Sequence, residues 1–371
     1  MKRIAYFISP HGFGHAARAC AVMDAAHTLS PHLKFEIYTT VPQWFFQDSL
    51  SRPFGYHLLL TDIGLVQETP LHANISLTLG RLNSFYPFKE NHVDGLAREI
   101  TGLGSERVIC DIAPLGIAVA EKAGIPSLLV ENFTWDWVYR EYADQWPELK
   151  GHMAYLQSLF RSVDYHVQTE PVCFHRPSDL CVGPISRSPK TGKHEIRRRL
   201  GIPPSARLVI ITMGGIQGRY DFLKKLNAVK GVFFVAPGGA DTANVEDNVI
   251  MLPHRSDFFH PDLIAASDAV VGKAGYSTLA EVSRAGAPFG YVKRPHFRES
   301  DVLGAYMEAR GNAIPIHPEG FENGTWISRL DQLLSLPMLE SNDSNNAATV
   351  ARFALGLTPL LRDHSKEFQQ T

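Results

Sequence analysis

The sequence predicts two α/β domains in tandem, each a doubly wound parallel sheet with helices on both faces. Three observations lead there. Short apolar runs alternate with segments of helical period in both halves of the chain. The polar, proline-flanked stretch Pro184-Ile185-Ser186-Arg187-Ser188-Pro189-Lys190 interrupts that alternation near the middle and reads as a linker. A chain of 371 residues is long for one domain and comfortable for two. The expected units are 1–185, 191–346 and a closing helix with its tail, 347–371.

Ile4–Ser9 reads as a buried strand, and Ala16–Leu29 then places Ala19, Val22, Met23, Ala26 and Leu29 on one helical face. Phe35–Thr40, Arg107–Asp111, Ser127–Glu131 and Tyr165–Thr169 follow as strands, with Leu115–Ala123 as an intervening helix. After the linker the strand-like runs are Leu208–Met213, Val232–Ala236, Val249–Leu252, Ala269–Gly272 and Phe289–Val292. Asp262–Ser267 and Thr278–Ala285 carry helical period. Ser341–Asn346 is loop-like, and Ala347–Arg362 reads as a last helix.

With 44% hydrophobic and 20% charged residues, each half can bury a core. A formal net charge of −2 gives no basic excess for nucleic acid. Of the four cysteines, Cys20, Cys110, Cys173 and Cys181, none forms a C-x-x-C pair, and no His/Cys cluster has zinc spacing, so no metal is expected. Cys20 and Cys110 sit in apolar runs as small hydrophobes. No run approaches the roughly 20 apolar residues of a membrane span. Met1-Lys2-Arg3-Ile4 leads into a strand rather than a signal-peptide core, so a cytoplasmic protein is expected.

In doubly wound sheets, ligands sit outside the carboxyl ends of the strands, so the loops after strands are where chemistry is sought. After the first strand comes Pro10-His11-Gly12-Phe13-Gly14-His15. Glycines there permit a tight turn, and His15 stands at a helix start, where neutral imidazole suited to a general base is favoured, with a turn histidine that only caps the helix as the competing role. Asp111 ends a strand and, if it reaches His15, fixes the imidazole tautomer; capping the next helix is the competing role. The second half holds the stronger signal, Lys273-Ala274-Gly275-Tyr276-Ser277-Thr278-Leu279-Ala280-Glu281. Gly275 opens the backbone, while Ser277 and Thr278 offer hydroxyls at a helix start. Lys273 adds charge, and Glu281, one turn in, can accept from a ribose diol. Together these favour a nucleotide diphosphate. Gly214-Gly215 is a further phosphate-loop candidate, equally well explained as a turn. No G-x-x-x-x-G-K-[ST] loop is present, and His11–Gly14 lacks the third glycine of a dinucleotide fingerprint. Trp135, in Asn132-Phe133-Thr134-Trp135-Asp136-Trp137, offers a ring to a sugar, with core packing as the alternative.

These loops resemble those of the GT-B glycosyltransferases, whose fold is two Rossmann-like doubly wound domains facing a central cleft. Gly275-x-x-Thr278-x-x-Glu281 is similar to the donor signature of plant secondary-product UDP-glycosyltransferases and the bacterial peptidoglycan GlcNAc transferase. The resemblance implies an acceptor domain at 1–185 and a donor domain at 191–346. It implies that Gly275 and Thr278 contact the diphosphate and Glu281 the ribose, with Lys273 in the place of a phosphate-contacting histidine. It implies that His15 is the base and Asp111 its partner, with Gly12, Phe13 and Gly14 on the acceptor side. A closer likeness, to the glycosyltransferase-like N-terminal region of plant L-arabinokinase and its stand-alone bacterial relatives, runs through Gly12-Phe13-Gly14-His15-Ala16-x-Arg18, Asn132-Phe133-Thr134-Trp135-Asp136, Ile264-Ala265-Ala266-Ser267-Asp268 and Gly272-Lys273-x-Gly275-Tyr276-x-Thr278-x-x-Glu281. The sugar-kinase half has no counterpart in these stretches, so kinase activity is not implied. Two departures mark the donor site. Met251, before Leu252-Pro253-His254, stands where the plant motif stacks a tryptophan on uracil, and Arg298-Glu299-Ser300-Asp301 replaces an acid–glutamine pair, leaving Glu299 to grip sugar hydroxyls and His254 beside the nucleotide.

The function expected is inverting transfer of a sugar from a nucleotide-diphosphate sugar, with uridine as the base, to a hydroxyl acceptor, with no cofactor and no metal. A nucleotide-sugar 2-epimerase, using Glu131 and Asp136, and a binding module without turnover are the competing expectations. Acceptor specificity is expected along Leu65–Pro87.

Overall fold

The computed structural model describes residues 2–214, 222–341 and 345–357. Its first sheet is built from β1 (Arg3–Ile8), β2 (Lys34–Thr39), β3 (Gly55–Leu58), β4 (Arg107–Asp111), β5 (Ser127–Glu131), β6 (Tyr165–Thr169) and β7 (Leu180–Val182). Its second is built from β8 (Arg207–Thr212), β9 (Val232–Pro237), β10 (Asn244–Glu246), β11 (Val249–Leu252), β12 (Ala269–Lys273), β13 (Phe289–Val292) and β14 (Ala313–Ile316). The orders are β3-β2-β1-β4-β5-β6-β7 and β10-β11-β9-β8-β12-β13-β14. Every pairing is parallel except β10 with β11.

Parallel strands covered on both faces must be apolar on both faces, and β1 is. Ala5 and Phe7 enter one core with Val108, Cys110 and Leu115, while Ile4, Tyr6 and Ile8 enter the other with Val22, Phe35 and Ile109. The second sheet is flanked in the same way: Leu208, Ile210 and Val270 face one cluster, Val209, Ile211 and Val271 the other.

Each sheet begins at its centre and winds outward first to one side, then to the other. The first reverses between β1 and β4, the second between β8 and β12. Those are the two places where loops leave neighbouring strands in opposite directions and open a crevice. The β8–β12 contact is close enough to demand glycine: a Cβ on Gly272 would lie 2.0 Å from the Thr212 carbonyl oxygen.

Two segments cross between the halves. Leu71 is buried in a core cluster of the second sheet. The final described helix, Asn346–Gly356, returns to the first sheet, where Val350, Ala351 and Ala354 pack beside Ala16, Ala19 and Val22 of the helix Gly14–Leu29. The expected helix over Ala347–Arg362 thus begins one residue earlier and ends at Gly356, where Leu357 turns extended; residues 358–362 of that expectation lie outside the described residues. The sequence reading missed β3, β7, β10 and β14, which are three or four residues long and lie at or next to sheet edges. Edge strands need no continuous apolar run, and β10 is exposed throughout. Cys20 and Cys110 are buried free thiols, as their apolar setting predicts.

Candidate functional site

The loop after β1 begins the site. Gly12 takes a left-handed φ of 74°, which turns the chain so that the helix Gly14–Leu29 starts at once. His15 is the second residue of that helix, and no side chain caps its N-terminus. The β1–β4 register sets Asp111 opposite Ile8, at the same sheet edge. His15 Nδ1 and Asp111 Oδ1 are 2.9 Å apart. An ionised carboxylate only accepts, so Nδ1 carries the proton and Nε2 is left as the acceptor.

Asp111 has a second partner to which the sequence reading gave no role. Arg18, one turn beyond His15 and only 1% exposed, donates from Nε to Asp111 Oδ2 at 2.8 Å and from Nη2 to Oδ1 at 2.6 Å. Its Nη1 donates to Asn132 Oδ1 at 2.9 Å and to Thr169 Oγ1 at 3.1 Å, and its guanidinium lies 4.6 Å from the Tyr276 ring centroid. Burial alone would raise the Asp111 carboxyl, but the charge and hydrogen bonds of Arg18, with the bond from His15, hold it below the usual carboxylate range. Asn132 then passes the network across the crevice, its Nδ2 donating 2.8 Å to Glu299 Oε1. One hydrogen-bonded chain therefore runs from His15 through Asp111, Arg18 and Asn132 to Glu299, on the second domain.

The second-domain bank is built at the end of β12. The helix Tyr276–Ala285 begins after Gly275 with no side-chain cap, so its first backbone N–H groups are aimed at the crevice. A side chain on Gly14 would stand 3.7 Å from Ser277 Oγ, so the two uncapped helix starts face each other almost in contact. Thr278 is buried one residue further on. Lys273 has no carboxylate within ion-pairing distance among the described residues, and burial, with Arg294 nearby, holds its ammonium down to about 7. Gly214, at φ 75°, lies beside it, a Cβ there being 3.6 Å from Lys273 Nζ. Gly215 falls outside the described residues.

Glu281 is not a free acceptor. Its Oε1 accepts from Arg187 Nη2 at 2.9 Å and Nε at 3.3 Å, and its Oε2 is 2.6 Å from His260 Nδ1. Burial would raise it, but Arg187 and His260 outweigh that and hold it ionised. A carboxylate has about four lone-pair directions and these contacts take three, so one remains on Oε2 for a single further donor. Arg187 belongs to the linker and sits between the Phe45 and Phe259 rings, 4.7 and 4.8 Å from their centroids.

These parts line one cleft of about 610 Å³ between the domains, within the size range of small-molecule sites. Of the residues singled out in the sequence, Gly12, Phe13, Gly14, His15, Gly214, His254, Lys273, Gly275, Ser277, Thr278, Glu281 and Glu299 line it. Phe13 spans it, its ring 5.5 Å from that of His254 on the opposite domain. Asp111 stands behind His15, wholly buried. Trp135 requires a correction. Its ring has no exposed surface and its Nε1–H donates to Asp62 Oδ2 at 3.0 Å, so it packs in the wall and offers no face to a sugar. Glu131 and Asp136, considered for epimerisation, do not line the cleft; Glu131 is tied to His166 and Gln168. Gln67 is the part of Leu65–Pro87 that reaches it. Sequence reasoning missed Arg18, Arg187, His260 and Arg294 as parts of the site.

No family model matches the chain. It is 28% identical to L-arabinokinase of Arabidopsis thaliana across 90% of its own length, and spans about a third (32%) of that relative. It is 24% identical to an uncharacterized glycosyltransferase of Methanopyrus kandleri, over 71% of this chain and 79% of that one. Among solved structures it superimposes on a UDP-glucosyltransferase from Polygonum tinctorium with a TM-score of 0.59 at 13% identity, covering 95% of this chain and 92% of that one. The architecture is the GT-B fold, two Rossmann-like sheets facing a central cleft. Among the described residues no helix is long and apolar enough to cross a membrane.

Proposed function

We propose that the protein transfers a sugar from a nucleotide-diphosphate sugar to an acceptor hydroxyl, with inversion. The observation that carries this reading is the opposition of two unlike helix starts: among the described residues, one presents an imidazole with a free Nε2, and the other presents uncapped N–H groups beside an ammonium with no carboxylate partner. The first is suited to take a proton, the second to hold a diphosphate.

In the reaction, His15 Nε2 takes the acceptor O–H proton as that oxygen forms its bond to the anomeric carbon. The bond from the anomeric carbon to the diphosphate oxygen breaks on the opposite face. Lys273 and the N-terminal N–H groups of Tyr276–Ala285 hold the departing charge. Glu281 receives the ribose and Glu299 the sugar hydroxyls; of the remaining cleft lining, His254 and Gly238 are the residues we assign to the base. Uridine is the base we favour, since the Polygonum tinctorium neighbour is a UDP-glucosyltransferase.

One observation favours a second reading, a nucleotide-sugar-binding module without turnover. Asp111 already carries the Arg18 cation, so it has less negative charge to lend to a His15 imidazolium. Calorimetric titration with uridine, thymidine, guanosine and adenosine diphosphates and their glucosyl esters, followed by an acceptor screen with H15A as control, separates the readings. Saturable binding with His15-dependent turnover supports transfer. Binding with no turnover, in any acceptor, supports the module. The absence of binding across the panel removes both.

A further inference from the structure

Arg294 follows the end of β13, one strand outward from the strand that carries Lys273. It lines the cleft and is 6% exposed. Among the described residues its Nε has no hydrogen-bond partner and its side chain makes no ion pair. Its guanidinium is stacked over the Phe297 ring at 3.7 Å, which fixes the plane of the fork. Burial, incompletely offset by Glu299 and Tyr142, pulls it down to about 10. Buried arginines are ordinarily paired, so an oriented, unpaired one facing a cavity is arranged for a ligand anion.

The charges around it narrow the choice. Glu299 is the one carboxylate whose field reaches both Arg294 and Lys273 among the described residues, but it makes no ion pair with either, and its Oε1 accepts from Asn132. The diphosphate already has Lys273 and the helix start on β12. Arg294 lies beyond them, on the next strand, with Glu299 at the head of the following helix, Glu299–Ala309. That is the sugar end of the cleft in the nucleotide-sugar reading, on which this inference rests. A planar two-pronged donor fits a carboxylate better than a hydroxyl.

We propose that the transferred sugar is a uronate, its carboxylate held by Arg294 while Glu299 accepts from its hydroxyls.

The test compares, by calorimetry on the full chain, the best-binding nucleoside diphosphate alone with its glucose and glucuronate esters. The same three titrations are run on R294Q, with thermal melting to establish that the variant folds. The expected result is a preference of about tenfold or more for the glucuronate ester in the wild type. In R294Q that preference falls below about twofold, with binding of the bare diphosphate unchanged. Equal affinity of the wild type for the two esters overturns the proposal while leaving the nucleotide-sugar reading standing, and needs no variant. Equal weakening of all three ligands in R294Q overturns it too, making Arg294 a phosphate ligand. Failure of every diphosphate to bind removes the underlying reading, and the proposal with it.

Discussion

The two banks of the cleft treat the cations nearest their helix starts in opposite ways. On the first-domain bank the charges are matched: Arg18 spans both oxygens of Asp111, and Asn132 and Thr169 take what remains of its guanidinium. On the second-domain bank, Lys273 and Arg294 stand without carboxylate partners among the described residues, both held below their ordinary ranges by burial. The first arrangement is complete without a ligand and fixes geometry. The second is an electrostatic deficit that only an incoming anion removes. A cleft of this kind separates two tasks: one side is pre-organised for proton transfer, the other is charged for binding.

The sharpest way to break that division is His15→Ala. Turnover should fall about a thousandfold, within the 10²–10⁴ that positioned proton transfer contributes, while calorimetric affinity for the diphosphate stays within about twofold. A parallel fall in affinity would mean the banks do not work separately. Stability offers the next contrast. Arg18→Leu strands a buried Asp111 and should lower the unfolding free energy by about 3–5 kcal/mol, whereas Arg294→Gln, which strands no partner, should change it by less than about 1 kcal/mol; urea denaturation of both variants reads the difference. Lys273→Met should weaken the diphosphate by about 1.5–3 kcal/mol, the worth of a hydrogen bond to a charged group, with no loss of thermal stability at pH 6. The smallest effect is in pH. Lys273 must be an ammonium to hold an anion, and in the free cleft it loses its proton near 7. Diphosphate affinity should therefore decline from pH 7 to 8.5, with proton uptake on binding, and the slope should vanish in Lys273→Met. The sign for stability is the reverse: between about 7 and the ordinary lysine value the unfolded chain binds a proton that the folded chain rejects, so the free protein gains stability from this residue as pH rises.

Much of this was legible in the sequence, for reasons that differ between residues. The central strands announced themselves because both their faces are buried, giving runs such as Val108-Ile109-Cys110. The loop residues His15, Lys273, Gly275 and Thr278 could be found because each follows directly on such a run. Arg18, Arg187 and Arg294 could not be assigned roles, because their meaning lies in distant partners: Arg18 meets Asp111 93 residues away, and Arg187 meets Glu281 94 residues away. A trace of Arg18 was nonetheless present. It is a lone charge in the small-residue stretch Ala16–Val22, and a cation on a helix that must bury most of its surface needs a buried anion. Trp135 shows the opposite failure: an aromatic near a strand end suggested a sugar platform, but its indole N–H was needed by the buried Asp62.

The return of the helix Asn346–Gly356 to the first domain has a mechanical consequence. The polypeptide leaves the first domain at the linker, and the helix Asn346–Gly356 is packed on that domain again. A body joined to another by one thread can swivel freely, but a body joined at two points turns about the line through them, like a door on two pins. Opening and shutting of the mouth is then a rotation with a single axis, and sliding or twisting of one bank past the other is suppressed. His15 and Lys273 would meet again in the same alignment at every closure.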